Sequence, residues 1–156
     1  MRDCISADTE VSRAKPLKET LACSLLLLSY WRGERLLVDP LCGSGTIPIE
    51  AAMIALDIAP GMNRGFAAER WQNFDYDAFE RARDEAKQRV RTDLNLNIYG
   101  SDIDPKAIEL AMRHAEEAGV DDCIVFRNAD IGSCLKRKIR LHRHQSPLRG
   151  KARRKP

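Results

Sequence analysis

The sequence predicts an α/β fold, a partial parallel sheet with flanking helices, and three observations carry the prediction. Short apolar segments alternate with longer segments of helical spacing, the pattern of strand–helix–strand units joined by right-handed crossovers. The first strand runs into a glycine-rich turn, Gly43-Ser44-Gly45, that opens onto a helix. Three strands in succession end in an acid, at Asp39, Asp102 and Asp130.

From Lys15 to Trp31, Pro16 stands at a helix start, and Leu17, Leu21, Ser24, Leu25 and Leu28 follow at three- and four-residue spacing. That spacing predicts an amphipathic helix packed on a larger body through these leucines. RGE breaks it, and RLLVD reads as a short apolar strand of the kind buried in a parallel sheet. After the glycine turn, Ile47 to Ile58 reads as helix, ended by Pro60 and Gly61. Asp75 to Thr92 is a charged helix with Phe79, Ala82, Ala86 and Val90 along one side and a solvated face opposite. LNIYGSDID is the second strand. Pro105 to Ala118 is the next helix, with Asp104 as its N-cap and Pro105 at its first position. DCIVFRNAD is the third strand, and there is no internal repeat.

A chain of 156 residues fits one domain, and at that size roughly 70% of the unfolded surface is buried. No apolar run approaches the roughly 20 residues of a membrane span, so the expected location is the cytoplasm, with no membrane partner. The five cysteines are scattered without a CxxC pair or a His at ligand spacing. They predict reduced, mostly buried thiols and no metal site. The net charge of +3 is unevenly distributed: residues 131–156 hold ten Lys or Arg and no acid, and the remainder is acidic.

The ligand follows from the strand ends, because open α/β sheets bind ligands beyond the carboxyl ends of their strands. No Lys follows the glycines, so the phosphate loop of nucleotide hydrolases is absent, and Pro48 stands where the third Gly of a dinucleotide motif would fall. Asp39, just before the turn, would repel a pyrophosphate and suit an ammonium group. S-adenosylmethionine offers donors at its ammonium, its ribose hydroxyls and its adenine amine. Carboxylates at successive strand ends accept from such groups, each charge-assisted bond contributing about 1.5–3 kcal/mol. For Asp102 the ligand-facing reading stands beside a capping role for Asp104; for Asp130 a role at adenine and that of an ordinary loop acid remain open.

DPLCGSGTIPIEAAMIALDIAPGMNR, YGSDIDPKAIELAMRHAEEAG and KPLKETLA together resemble the methyltransferase domain of bacterial THUMP-domain 23S rRNA guanine-N2 methyltransferases, a family often labelled N6-adenine-specific DNA methylases. The resemblance covers about Thr9 to Asp130, with IAPGMNR and the Trp71 region as its specific parts; the glycine turn alone is common to methyltransferases. It implies a Rossmann-like class I fold and S-adenosylmethionine as cofactor. By this resemblance Asp39, Gly43, Gly45 and Thr46 bear on the methionine part, Asp102 on the ribose, and Ala129 with Asp130 on the adenine. Pro40, Cys42, Ser44 and Ile103 are further cofactor-binding positions. It also explains why Asp102 lies 57 residues after Gly45, since an insertion from Pro60 to Asn95 belongs to the family pattern.

The ends depart from that pattern. The family places an RNA-binding THUMP domain ahead of residue 9 and, after the third strand, a fourth ending in Asn-Pro-Pro-Tyr, which orients the amine of an extruded base. This chain lacks that motif, so no catalytic residue is assigned. IRLHRHQSPLRGKARRK stands in its place, and codons can be chosen for that segment whose adjacent frame reads YGFIVTNPPYGERLE. The expected organisation is a non-native leader over residues 1–8, a cofactor-binding core over 9–131, and an out-of-frame, disordered basic tail over 132–156, in which His142 and His144 have no role. The expected function is methyl transfer to the exocyclic N2 of guanine in 23S rRNA, with RNA as partner and this chain carrying only the cofactor-binding part. Three alternatives stand: adenine-N6 methylation of DNA, a non-enzymatic RNA-binding module acting through the basic tail, and, ranked lower, a dinucleotide oxidoreductase.

Overall fold

The computed structural model describes residues 17–62 and 64–133. The expected leader, Pro16 and the tail beyond Ser133, with His142 and His144, lie outside the described residues. In chain order the elements are α1 (Glu19–Leu28), β1 (Leu37–Asp39), α2 (Thr46–Ala55), α3 (Tyr76–Arg89), β2 (Ile98–Asp102), α4 (Pro105–Ala118) and β3 (Ile124–Asn128). The strands form a parallel sheet in the order β1-β2-β3. Leu37 pairs with Ile98 and Asp39 with Gly100; Ile98 pairs with Ile124 and Asp102 with Asn128. β1 and β2 end in Asp39 and Asp102 as expected, whereas β3 stops at Asn128, two residues short of Asp130, so the three acids lie at or just beyond the carboxyl end of the sheet.

The core lies on one face. Ile98 and Ile124, opposite each other in register, pack with Leu26 of α1, with Ile49, Ala51 and Ala52 of α2, with Leu56, and with Ala115 and Val120 at the end of α4. Side chains alternate along a strand, so Val38, Tyr99 and Val125, which pair across the same sheet, point to the other face. Val125 is exposed there, and Val38 and Tyr99 are only half-buried. The sequence predicts β1 as a buried strand; it is half-buried because, among the described residues, neither its outer edge nor this second face is covered.

α1 forms inside the expected segment but is shorter, starting at Glu19 after an extended Lys18 instead of at Pro16, and it turns a different side inward. Ala22 and Leu26 are buried, whereas Leu21, Leu25 and Leu28 are 47–74% exposed. α1 packs on α2, and small buried residues on both helices, Ala22 on one and Ala51 with Ala52 on the other, allow close approach that the larger leucines would prevent. The sheet face left uncovered among the described residues and the leucine stripe together predict self-association. At micromolar concentrations light scattering is expected to give a mass well above the monomer's 17.6 kDa, reduced by Val125→Lys. A monomeric mass at every concentration would contradict this.

The segment between α2 and β2 builds a small cluster of its own. Phe66, Phe74 and Phe79 meet edge to face, Arg83 lies over the Phe79 ring and Arg64 over Phe66. Asp75 caps α3 by accepting from Ala78 N–H, and the helix ends at Arg89, short of the expected Thr92. The predicted apolar side is less buried than the pattern suggests: no residue of α3 is fully buried and Ala82 is exposed. Arg91 N–H bonds Leu56 O at 2.8 Å and Arg89 pairs with Asp57 at 3.2 Å, which fixes this segment at the end of α2 remote from the glycine turn. α4 keeps its predicted bounds, capped by Asp104 and ended at Gly119.

Candidate functional site

The carboxyl end of β1 leads through Asp39 and Pro40 into the turn, and α2 begins at Thr46 with Gly45 as its N-cap. Gly43 (φ +53°) and Gly45 (φ +83°) both occupy the left-handed region that favours glycine. The turn is tied on several sides. Gly43 N–H donates to Asp102 Oδ2 at 3.0 Å, Cys42 N–H to Ser101 O at 2.9 Å, and Gly45 N–H to Cys42 O at 2.8 Å. From α4, His114 Nδ1 lies 3.2 Å from Ser44 O.

The two glycines face different surroundings. A Cβ on Gly45 would sit 2.9 Å from Ala111 Cβ and 3.1 Å from Phe126 Cζ, so this residue is glycine because α4 and β3 press against it. A Cβ on Gly43 would meet nothing within 4 Å. The space above Gly43 is the place where a ligand can come up to the backbone.

Asp39 and Asp102 stand at the ends of adjacent strands. Asp39 Oδ1 accepts from Leu41 N–H at 3.2 Å. Burial holds its carboxyl above the ordinary value; the Leu41 bond opposes this, and the charge of Asp102 adds to the rise. A cation between the strand ends would relieve that strain. Asp102 Oδ1 accepts from Asp104 N–H at 3.0 Å, so each of its oxygens already holds one backbone donor and retains a further acceptor direction. The loop that follows is fixed by Asn128, whose Nδ2 donates to Asp102 O and Ile103 O at 3.0 and 2.9 Å, and by Ala129 N–H, which donates to Asp102 O. Ile103 is 70% exposed beside it. Asp130 Oδ1 accepts from Gly132 N–H and Ser133 N–H, and its carboxyl lies below the usual range, chiefly through Ser133. It caps the turn that follows.

The sequence-expected positions Asp39, Pro40, Cys42, Gly43, Ser44, Gly45, Thr46, Asp102, Ile103, Ala129 and Asp130 thus lie along one edge of the sheet. Cys42 and Thr46 are buried beneath the turn, and Ser44 Oγ lies 3.4 Å from Thr46 Oγ1. Of the described cysteines only Cys42 is buried, Cys23 and Cys123 being half-buried. Sequence reasoning missed His114, Phe126 and Asn128. His114 carried a signal, three residues after Ala111 on the buried face of α4. Among the described residues no three His, Cys, Asp or Glu are grouped to hold a metal, and no helix is long and apolar enough to cross a membrane.

A sequence profile of UPF0020, described as the RMKL-like methyltransferase domain, matches residues 8–143. The chain belongs to this family. Within it, the "Putative RNA methyltransferase YpsC" of Bacillus subtilis (strain 168) is 46% identical over 116 residues, covering 74% of this chain and 30% of its own length. The ribosomal RNA large subunit methyltransferase K/L of Shewanella sediminis (strain HAW-EB3) is 46% identical over 129 residues, covering 80% of this chain and 18% of its own length. The crystal structure of SMU.472, named a putative methyltransferase and complexed with SAH, superposes with a TM-score of 0.72 at 37% identity, over 87% of this chain and 34% of its own. The fold is therefore that of the family's methyltransferase domain, α/β with a parallel sheet, and the chain spans about a third or less of the length of these relatives.

Proposed function

We propose that this chain is the cofactor-binding part of an S-adenosylmethionine-dependent RNA methyltransferase, and that the intact protein methylates the exocyclic N2 of guanine in 23S rRNA. The observation that carries the reading is the open space above Gly43, flanked by the strand-end carboxylates Asp39 and Asp102. These carboxylate acceptors and the backbone of the turn fit the cofactor. Asp39 would take the ammonium, the Gly43–Gly45 backbone the methionine chain, Asp102 the ribose hydroxyls, and Ile103, Ala129 and Asp130 the adenine. When bound, the cofactor supplies an electrophilic methyl group.

The chain's own residues bind and orient. Asp102 holds the turn at Gly43 while keeping an acceptor direction free, and the half-buried carboxylate of Asp39 would pair with the ammonium. The relatives' names support RNA as the substrate class, and that of the K/L enzymes supports ribosomal RNA of the large subunit. Guanine N2 rests on the resemblance of the motifs.

Calorimetric titration of the chain with SAH is expected to show one saturable site, with NADH failing to compete. Incubated with undermodified rRNA, the chain alone is expected to transfer no methyl label, because the motif that orients the base is absent from its sequence. The full-length, in-frame protein should label rRNA, and nucleoside digestion should place the methyl on guanine. Label on adenine of DNA would overturn the substrate reading, and absence of SAH binding would overturn the cofactor reading.

A further inference from the structure

His114 lies outside the expected set of cofactor residues. It sits 70 residues along the chain from Ser44, on the buried face of α4 with Ile108, Ala111 and Ala115, and is itself only 7% exposed. A carbonyl oxygen only accepts, so the contact between His114 Nδ1 and Ser44 O requires the proton on Nδ1. The peptide joining Ser44 to Gly45 is planar. Holding Ser44 O at one end therefore aims Gly45 N–H at the other, and that N–H closes the turn on Cys42 O at 2.8 Å. One helical turn before His114, Ala111 fills the space against Gly45. α4 thus grips the turn twice, sterically at Gly45 and by a hydrogen bond at Ser44, while the space at Gly43 stays open.

We propose that His114 is a positioning residue for the cofactor turn: it touches no ligand, and its Nδ1–H fixes the Ser44–Gly45 peptide in the orientation that leaves the space above Gly43 open. The inference rests on the cofactor reading given above. Without this donor the turn has its three other backbone ties, so the fold persists, but the turn samples orientations that close the ligand space. The group needed is a donor at the Nδ1 position. Asn places its amide nitrogen at nearly that position and Leu places none, so the two variants separate hydrogen bonding from packing.

SAH affinity by calorimetry and apo melting temperature are to be measured for the wild-type chain, His114→Asn and His114→Leu, together with the imidazole nitrogen shifts of the wild type. Expected are an Nδ1-protonated ring, SAH affinity of His114→Asn within about threefold of wild type, and a loss of roughly tenfold or more in His114→Leu, the scale of one hydrogen bond with its acceptor left buried. The inference falls if the ring is protonated only at Nε2, if folded His114→Leu binds SAH as well as wild type, or if His114→Asn melts as wild type yet loses affinity. If His114→Leu does not fold, the Asn variant and the nitrogen shifts decide. Failure of the wild-type chain to bind SAH overturns the cofactor reading itself and the inference with it, whereas wild-type binding with an indifferent His114→Leu overturns the inference alone.

Discussion

Gly45→Ala is expected to destabilise the chain by about 2–5 kcal/mol and Gly43→Ala by about 1–2 kcal/mol, yet both should abolish tight SAH binding. Each residue has a positive φ, +83° and +53°, where an L side chain costs about 1–2 kcal/mol. At Gly45 the added Cβ also lies 2.9 Å from Ala111 Cβ and 3.3 Å from Ala111 Cα. These atoms belong to the body of a helix and cannot swing aside, so overpacking adds about 1–3 kcal/mol. Against a total of about 5–15 kcal/mol for a folded domain, that is a large fraction. At Gly43 the Cβ enters empty space, and the methyl would occupy the volume assigned to the ligand. Urea unfolding and SAH titration of the two variants separate the effects. Gly43→Ala binding SAH as wild type would remove the ligand from that space, and equal stabilities would mean that α4 yields.

How much of this was legible in the sequence depended on how local each signal was. The bounds of α4 were readable because Asp104 with Pro105 at one end and Gly119 at the other are local start and stop signals, and they act as such. The acids ending β1 and β2 and the glycine turn were readable for the same reason, while β3 stops at Asn128, short of Asp130. The side of α1 turned inward was not. Leu25 to Leu28 is an unbroken leucine run that offers an apolar residue in every direction, and only contact with α2 selects Ala22 and Leu26. The dual task of Asp102 was half visible: its position at a strand end could be read, but its bond to Gly43, 59 residues away, is tertiary. His114 and Phe126 escaped for the same reason, since the turn they buttress is remote in the chain. Asp130 read equally well as an adenine contact or a loop acid, and its cap on Gly132 and Ser133 is formed with residues at the very limit of the described chain.

Asp39→Asn is expected to make the apo chain more stable at neutral pH and to weaken S-adenosylmethionine binding by about 10- to 100-fold. The opposite signs follow from one cause. Burial, reinforced by the charge of Asp102, holds the Asp39 carboxyl above its ordinary value of 3.8 despite the Leu41 N–H that favours its charge. The folded chain therefore binds this proton more tightly than the unfolded chain. Stability accordingly falls as pH rises from the ordinary carboxylate range through the raised value, and the cost is fully present at neutral pH. Asn carries no charge, keeps an oxygen for Leu41 N–H and escapes the cost, so its melting temperature should exceed the wild type's at pH 7, with the difference narrowing as the pH falls toward about 4. On the proposed reading the ligand's ammonium would be the partner of this half-buried charge, and a charge-assisted bond contributes about 1.5–3 kcal/mol. Binding to wild type should weaken as Asp39 takes up its proton on acidification, while binding to the variant stays nearly level over the same range. A variant that melts below wild type at pH 7, or that binds the cofactor equally well, would mean that Asp39 serves the fold and not the ligand.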